Sequence, residues 1–382
     1  MIPIPRRLPQ AAVLLALCMS LDSGAQTTSL NGGTTVSATD RNDPTAYARA
    51  LHHFEHAQYS AALAGFDAVV HAPLRGDQAA GETERLERVE AEHRAALCAI
   101  YLFHKDAVWR IDRFVDRHPE STWVPKLHWE LGNYQYRRKK WGKALEAFDR
   151  LNPRHLGKVQ RTEFHFKRGH ARFEQGDLEA ARGDLLKVTG SSDARPDFLE
   201  AARYYLAHIA YAEDRFTTAL NEFEARASVD AFRDAVPVYI GQILHELDRH
   251  EDLVDRVPTW LGEDHDLREA DATELSRLLG TALFHLGRCP EAEAHLEAAW
   301  SAMDTRDKLP GFSYIVGSCR LENGHPQEAI LALMRATGNG DQLDQYATHA
   351  LGRAYLDNDE KPKAQAAFAQ AAQFDHDLEV RE

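Results

Sequence analysis

Residues 132–144 read GNYQYRRKKWGKA, and residues 169–181 read GHARFEQGDLEAA. The two stretches share one grammar: a small residue opens, an aromatic follows four places later, a polar turn comes next, and an Ala closes the thirteen-residue span. The same grammar returns in AHIAYAEDRFTTA (207–219) and GTALFHLGRCPEA (280–292), and with Leu at the aromatic's place in GSCRLENGHPQEA (317–329) and GRAYLDNDEKPKA (352–364). Weaker copies are ALHHFEHAQYSAA (50–62), AALCAIYLFHKDA (95–107) and GQILHELDRHEDL (241–253).

The nine copies open on Ala50, Ala95, Gly132, Gly169, Ala207, Gly241, Gly280, Gly317 and Gly352. Each carries a large apolar residue four places after its closing position: Phe66, Ile111, Phe148, Leu185, Phe223, Val257, Leu296, Leu333 and Phe368. From Tyr47 onward the apolar period is helical, and no alternating run of strand length occurs. Each copy therefore predicts an antiparallel helix pair, helix A and helix B. The small residue lets the two helices approach, and the closing Ala is expected as its partner. One pair cannot bury both faces, so the copies must stack.

This pattern resembles the tetratricopeptide repeat family over about residues 44–375. The last copy carries the resemblance most fully, through Leu351, Gly352, Tyr355, Ala364, Phe368 and Ala371. The fold it implies is all-α, a right-handed superhelical α-solenoid of about nine helix pairs. Two departures stand out. Leu253 replaces the closing Ala and Val257-Pro258 follows, which predicts a short or broken helix B. The first interval is too long, so residues 71–88 are expected as a loop or as lengthened helices.

Outside the array the organisation is simpler. Arg6 and Arg7, the short apolar run Ala11–Leu21 and the small residues Ser23-Gly24-Ala25 read as a secretory signal peptide, residues 1–25. Leu17 stands before Cys18 where a lipoprotein signal wants a small residue. Residues 26–44 are polar and read as a flexible leader. The array is expected over 45–375, with 376–382 starting a further helix. Of the remaining cysteines, Cys98, Cys289 and Cys319, the reading favours buried unpaired thiols over a 289–319 bridge.

The 382 residues carry 45 Lys+Arg against 59 Asp+Glu, a net charge of −14. That speaks against nucleic acid and against anionic lipid as partners. Phosphate-binding loops, a nucleophile elbow and paired CxxC motifs are missing from the sequence. In His245-Glu246-Leu247-Asp248-Arg249-His250 the histidines are five apart. On one helix they would point about 140° apart, so no shared metal is expected. His52 and His56 lie four apart and read as exposed. The acids read as a solvated outer face, and Arg137-Arg138-Lys139-Lys140 as a solvated turn. No cofactor, no metal site and no catalytic residue are expected.

The informative constellation is one face of helix A, taken three before, one after and four after the small residue. Three successive repeats give Trp129/Asn133/Tyr136, Phe166/His170/Phe173 and Tyr204/His208/Tyr211. The further sets run Val238/Gln242/His245, Arg277/Thr281/Phe284, Tyr314/Ser318/Leu321 and His349/Arg353/Leu356. The resemblance implies that this face lines a concave groove for protein or peptide partners, with the nine residues of the first three sets as partner-binding groove. The type of groove that clamps a C-terminal carboxylate is not expected. It needs a Lys where Trp129 stands, and only Asn133 matches. The function implied is an exported, non-enzymatic scaffold in the cell envelope, periplasmic or outer-membrane associated, serving envelope assembly, outer-membrane biogenesis or secretion. The alternative is an N-terminal recognition arm of a larger protein.

Overall fold

The computed structural model describes residues 45–73, 78–262, 265–374 and 376. The signal peptide, the leader and nearly all of 376–382 lie outside them. Among the described residues there are eighteen α-helices and no strand. They form nine A/B pairs: α1 (Thr45–Glu55) with α2 (Tyr59–His71), α3 (Gln78–Tyr101) with α4 (Ala107–Arg117), and α5 (Val124–Arg137) with α6 (Trp141–Asp149). Next come α7 (Lys158–Glu174) with α8 (Leu178–Thr189), α9 (Pro196–Ala212) with α10 (Phe216–Glu224), and α11 (Val236–Glu246) with α12 (His250–Trp260). The last are α13 (Glu269–His285) with α14 (Cys289–Ala302), α15 (Pro310–Glu322) with α16 (Pro326–Ala336), and α17 (Gln342–Asp357) with α18 (Lys361–Ala371). Two compact bodies divide between Leu206 and Ala207, inside α9.

Every A/B turn is built alike. One residue takes positive φ: Ala57, Phe103, Lys139, Gly176, Asp214, Asp248, Gly287, Gly324 and Asp359. The N–H of the next residue reaches back to a carbonyl five residues earlier at 2.8–3.0 Å, as Lys140 does to Gln135 and His325 to Arg320. This left-handed step satisfies the last carbonyls of helix A and reverses the chain. The positive-φ residue follows the small residue by seven places in eight repeats. In the second repeat seven places back from Phe103 is Ala96, not Ala95. The packing agrees: Ala96 clusters with Ala107 and Ile111 of its own helix B, whereas Ala95 faces Ala62 and Phe66 of the first repeat.

The partner of the small residue also differs from expectation. A Cβ placed on Gly132 would stand 2.3 Å from the Phe148 ring, and one on Gly280, Gly317 or Gly352 would meet Leu296, Leu333 or Phe368 at 2.6–2.7 Å. The close approach is thus to the large apolar residue of helix B. The closing Ala lies one turn earlier and is itself buried. Gly241 is the exception, because its own helix B comes no nearer to a Cβ there than Leu253 at 3.8 Å. It packs on Leu275 and Leu278 of the following repeat. Helix α12 is nevertheless a full 11 residues, with Pro258 inside its last turn. The missing N–H costs one helical bond, that to the Val254 carbonyl, and the helix survives. The long first interval is taken up by α3, 24 residues long.

Two further expectations are corrected. Cys289 and Cys319 are bridged, joining the start of α14 to the last turn of α15, with their Cα atoms 5.0 Å apart. Buried Cys98 is a free thiol, and desolvation pushes its pKa up to about 12. The acids are not merely solvated either. The residue after the helix-B anchor is acidic in several repeats and is held by an Arg of the next one. Arg110 grips Asp67 through two bonds at 2.6 and 2.9 Å, Arg168 and Arg172 reach Asp149 at 3.2 and 3.3 Å, and Arg256 meets Glu224 at 2.6 Å. Arg320 pairs with Glu297. Where that position is apolar, in Leu186 and Met334, the side chain is exposed.

Candidate functional site: the A-helix face

All nine residues of the first three sets are buried, with 1–7% of their surface exposed. Their rings fill the space between successive A helices rather than standing open. Phe166 packs on Phe198 with ring centroids 4.9 Å apart, and Phe173 on Tyr205 at 5.1 Å. His208 sits edge-on to Phe223 and Tyr239, at 4.8 and 4.4 Å. Its burial pushes the imidazole pKa down to about 3. Aromatic contacts of this kind make inter-repeat packing their first role.

Two of the polar members, Asn133 and His170, are tied across repeats by hydrogen bonds. The Tyr136 hydroxyl is hydrogen-bonded to His170 Nδ1, and His170 Nε2 lies 2.9 Å from the Tyr205 hydroxyl and 3.4 Å from Glu174. Asn133 Oδ1 accepts from Lys167 Nζ at 2.9 Å, and Lys167 also donates to Glu163 at 2.6 Å. The ammonium stands 5.7 Å from the ring centroids of both Trp129 and Tyr136. Lys167 is only 8% exposed and was not among the expected residues. Its sequence signal is a cation inside the aromatic run Phe164-His165-Phe166-Lys167. So Asn133 does meet a lysine, but one held by Glu163 inside the array.

The second body has a polar ladder of its own. Tyr211 donates to Gln242 at 3.3 Å, Gln242 Nε2 donates to Glu274 at 3.1 Å, and Glu274 holds Arg277 at 2.8 Å. Toward the last repeats the same register opens. Phe284 and Tyr314, in T-shaped contact at 6.2 Å, are half-buried. His349 is half-buried, Arg353 is exposed, and Leu356 is 48% exposed.

The histidines singled out in the sequence fall elsewhere. His52 on α1 and His56 just past its end are exposed, their rings 4.1 Å apart, with His56 Nδ1 donating to the His52 carbonyl at 2.8 Å. His245 and His250 are not on one helix, because the turn at Asp248 intervenes. Their ring centroids are 6.3 Å apart, and His250 stacks on His285 at 4.7 Å. Among the described residues no group of three His, Cys, Asp or Glu is arranged to hold a metal ion. No described helix is long and apolar enough to cross a membrane.

Fold and face together define the class: an all-α solenoid of tetratricopeptide-type helix pairs. No family model matches the chain, and no curated protein matches it. Among solved structures it is similar to the C-terminal part of a TPR repeat-containing protein from Cytophaga hutchinsonii, at 12% identity and a TM-score of 0.44, covering 66% of this chain and 97% of that one. A tetratricopeptide repeat protein from Parabacteroides merdae is 12% identical with a TM-score of 0.35, covering 81% and 99%. The P58(IPK) TPR domain is 15% identical with a TM-score of 0.30, covering 88% and 94%.

Proposed function

We propose that this chain is an exported, non-enzymatic scaffold that binds protein or peptide partners along its A-helix face, in the periplasm or at the outer membrane. Two features support export: the amino-terminal signal read from the sequence and the Cys289–Cys319 bridge, since stable disulfides belong to oxidising compartments. The observation that carries the binding reading is the change along one register. Positions buried in the third to fifth repeats are half-buried at Tyr314 of the eighth and His349 of the ninth and exposed at Arg353 and Leu356 of the ninth, while Ser318 and Leu321 of the eighth stay buried. An aromatic on α15 with a cation and an aliphatic at the same register of α17 suit an extended or helical peptide. In this reading Trp129, Asn133, Tyr136, Phe166, His170, Phe173, Tyr204, His208 and Tyr211 pack the A helices against their neighbours, and the open register of the last repeats makes the direct contacts. Envelope assembly, outer-membrane biogenesis and secretion are the processes such a scaffold would serve.

The test is affinity capture from envelope extract with the wild type and with Arg353→Ala/Leu356→Ala. Both side chains are exposed, so folding should be unaffected. Loss of captured partners with unchanged helicity supports the assignment. Equal capture by the double variant places binding elsewhere.

A further inference from the structure

Leu102, Phe103 and Trp109 are 37%, 55% and 56% exposed. Among the described residues no other stretch of eight holds three large apolar side chains so open to solvent. Single exposed apolar residues are ordinary, but a group at one tip marks a contact surface. Leu102 and Phe103 lie in the A/B turn of the second repeat, and Trp109 is in the first turn of α4, which follows it. Phe103 has a φ of 53°, at the place held in other repeats by Ala57, Lys139, glycine or aspartate. A bulky side chain in the left-handed region is strained, and glycine would sit there freely. Folding alone does not favour Phe103.

The tip is set among cations. The Arg137 guanidinium lies 5.5 Å from the Phe103 ring centroid, and the Tyr134 ring 5.6 Å. Arg138 donates to the Tyr134 hydroxyl at 2.8 Å, and Arg113 covers the Trp109 ring at 5.0 Å. Lys139 and Lys140 follow in the turn and Lys143 in the first turn of α6, all three exposed. Segments 101–110 and 134–143 together hold seven Lys and Arg and one acid. That acid, Asp106, is bonded to Arg110 at 2.8 Å and to His104. A second acid near the tip, Glu130 of α5, is half-buried. The net charge of −14 does not govern here. Salt screens exposed charges beyond about 8 Å, so a partner meets the local field.

A peptide partner has its aromatic anchors met by pockets. Phe103 and Trp109 line no cleft. They stand out from a turn and a helix start, as side chains that enter the headgroup region of a bilayer do. Clustered Lys and Arg beside them hold such a tip to an anionic surface. We propose that the tip of Leu102, Phe103 and Trp109, with Lys105, Lys139 and Lys140 beside it, docks this chain on an anionic lipid surface. The apolar side chains enter the interface, and the cations meet the lipid headgroups. The strain at Phe103 is kept because it presents a ring where the turn would accept glycine. This surface shares no residue with the open register of the last repeats and does not depend on what that register binds.

The experiment is vesicle sedimentation of the full-length protein, joined to hydrogen exchange. The vesicles are phosphatidylcholine alone or phosphatidylcholine mixed with phosphatidylglycerol. Binding should need phosphatidylglycerol, weaken as salt is raised, and slow the exchange of amides in 101–110 and 134–143. Phe103→Gly/Trp109→Ser should bind roughly tenfold more weakly, with helicity and melting close to wild type. Lys139→Glu/Lys140→Glu should lose about as much and show a flatter salt dependence. Residues 1–25 are common to all these proteins, so any lipid affinity of theirs cancels in the comparison. A wild type that ignores the mixed vesicles overturns the proposal. So does vesicle binding without slowed exchange at 101–110, or equal binding by both variants. Protection of the tip by polyglutamate and not by vesicles would assign it to an acidic peptide. The exchange pattern of the wild type decides the matter even if a variant does not fold.

Discussion

Gly132 lies beneath the ring of Phe148, so near that a single Cβ on the glycine would stand 2.3 Å from Cε1. Gly132→Ala is therefore expected to destabilise the array by roughly 1–3 kcal/mol through overpacking. Gly169→Ala should cost less, because its Cβ would meet Leu185 at 3.0 Å and Asp184 at 3.2 Å. Gly183, inside α8 with nothing within 4 Å, should gain about 0.5–1 kcal/mol when changed to Ala. Urea titrations of the three variants give the order. A Gly132→Ala protein as stable as wild type would dismiss this contact as the spacing constraint.

Asp184 is buried under His165 at 2.9 Å, Arg168 at 2.7 Å and Arg172 at 2.8 Å. Burial alone would raise its pKa. Hydrogen bonds from His165 and Arg168, with the charges of Arg168 and Arg172, outweigh that and hold it well below the usual carboxylate range. Asp184→Asn should cost roughly 3 kcal/mol, because two guanidinium groups lose their buried counter-charge. Asp149→Asn, at an exposed site, should cost about 0.5 kcal/mol or less. Equal melting shifts for the two would contradict the assignment.

Acid should loosen the array at defined points. Burial pushes the pKa of His93 and of His245 down to about 4, each helped by nearby positive charge, and that of His208 to about 3. A folded pKa below the unfolded value of about 6.5 means the stability is full above pH 6.5 and is lost as pH falls toward 4. Each site should weaken folding by about 2 kcal/mol between pH 7.5 and pH 5. His93 stacks on Trp123 at 4.9 Å, so His93→Phe keeps a ring there and should flatten part of the pH dependence. A variant with an unchanged pH profile would remove His93 from the account.

The buried polar members of the face should behave as core. His170→Ala leaves the Tyr136 and Tyr205 hydroxyls without their shared partner, and burial makes that cost roughly 1–3 kcal/mol. The triple change of Asn133, His170 and His208 to Ala should lower the melting temperature clearly. Normal melting with lost partners would instead make these residues direct contacts.

The repeat was legible because its landmarks are local: Gly or Ala, a turn, Ala and a large apolar residue recur within one short span. Which landmark touched which was not, since Ala144 and Phe148 stand on the same stripe of α6 and only the packed distance separates them. The second repeat offered Ala95-Ala96, and the sequence alone gave no reason to choose the latter. The inter-repeat ion pairs were invisible for another reason. The acid sits at a fixed place, but the Arg that meets it is 43 residues away for Asp67, 19 or 23 for Asp149 and 32 for Glu224. The face of Trp129 and Tyr204 followed from helical spacing. Its closure depends on how tightly the neighbouring repeats stack, which spacing does not encode.

That variable reach makes the repeats non-interchangeable. Asp67 is matched to Arg110 and Glu297 to Arg320, each across one particular boundary. Deleting or duplicating a single repeat in the gene would set an acid against a neighbour whose Arg is on the wrong helix. Such an array cannot be lengthened by simple copying of a module. Its order of parts is inherited as a whole, and an engineer cutting it would have to move acid and arginine together.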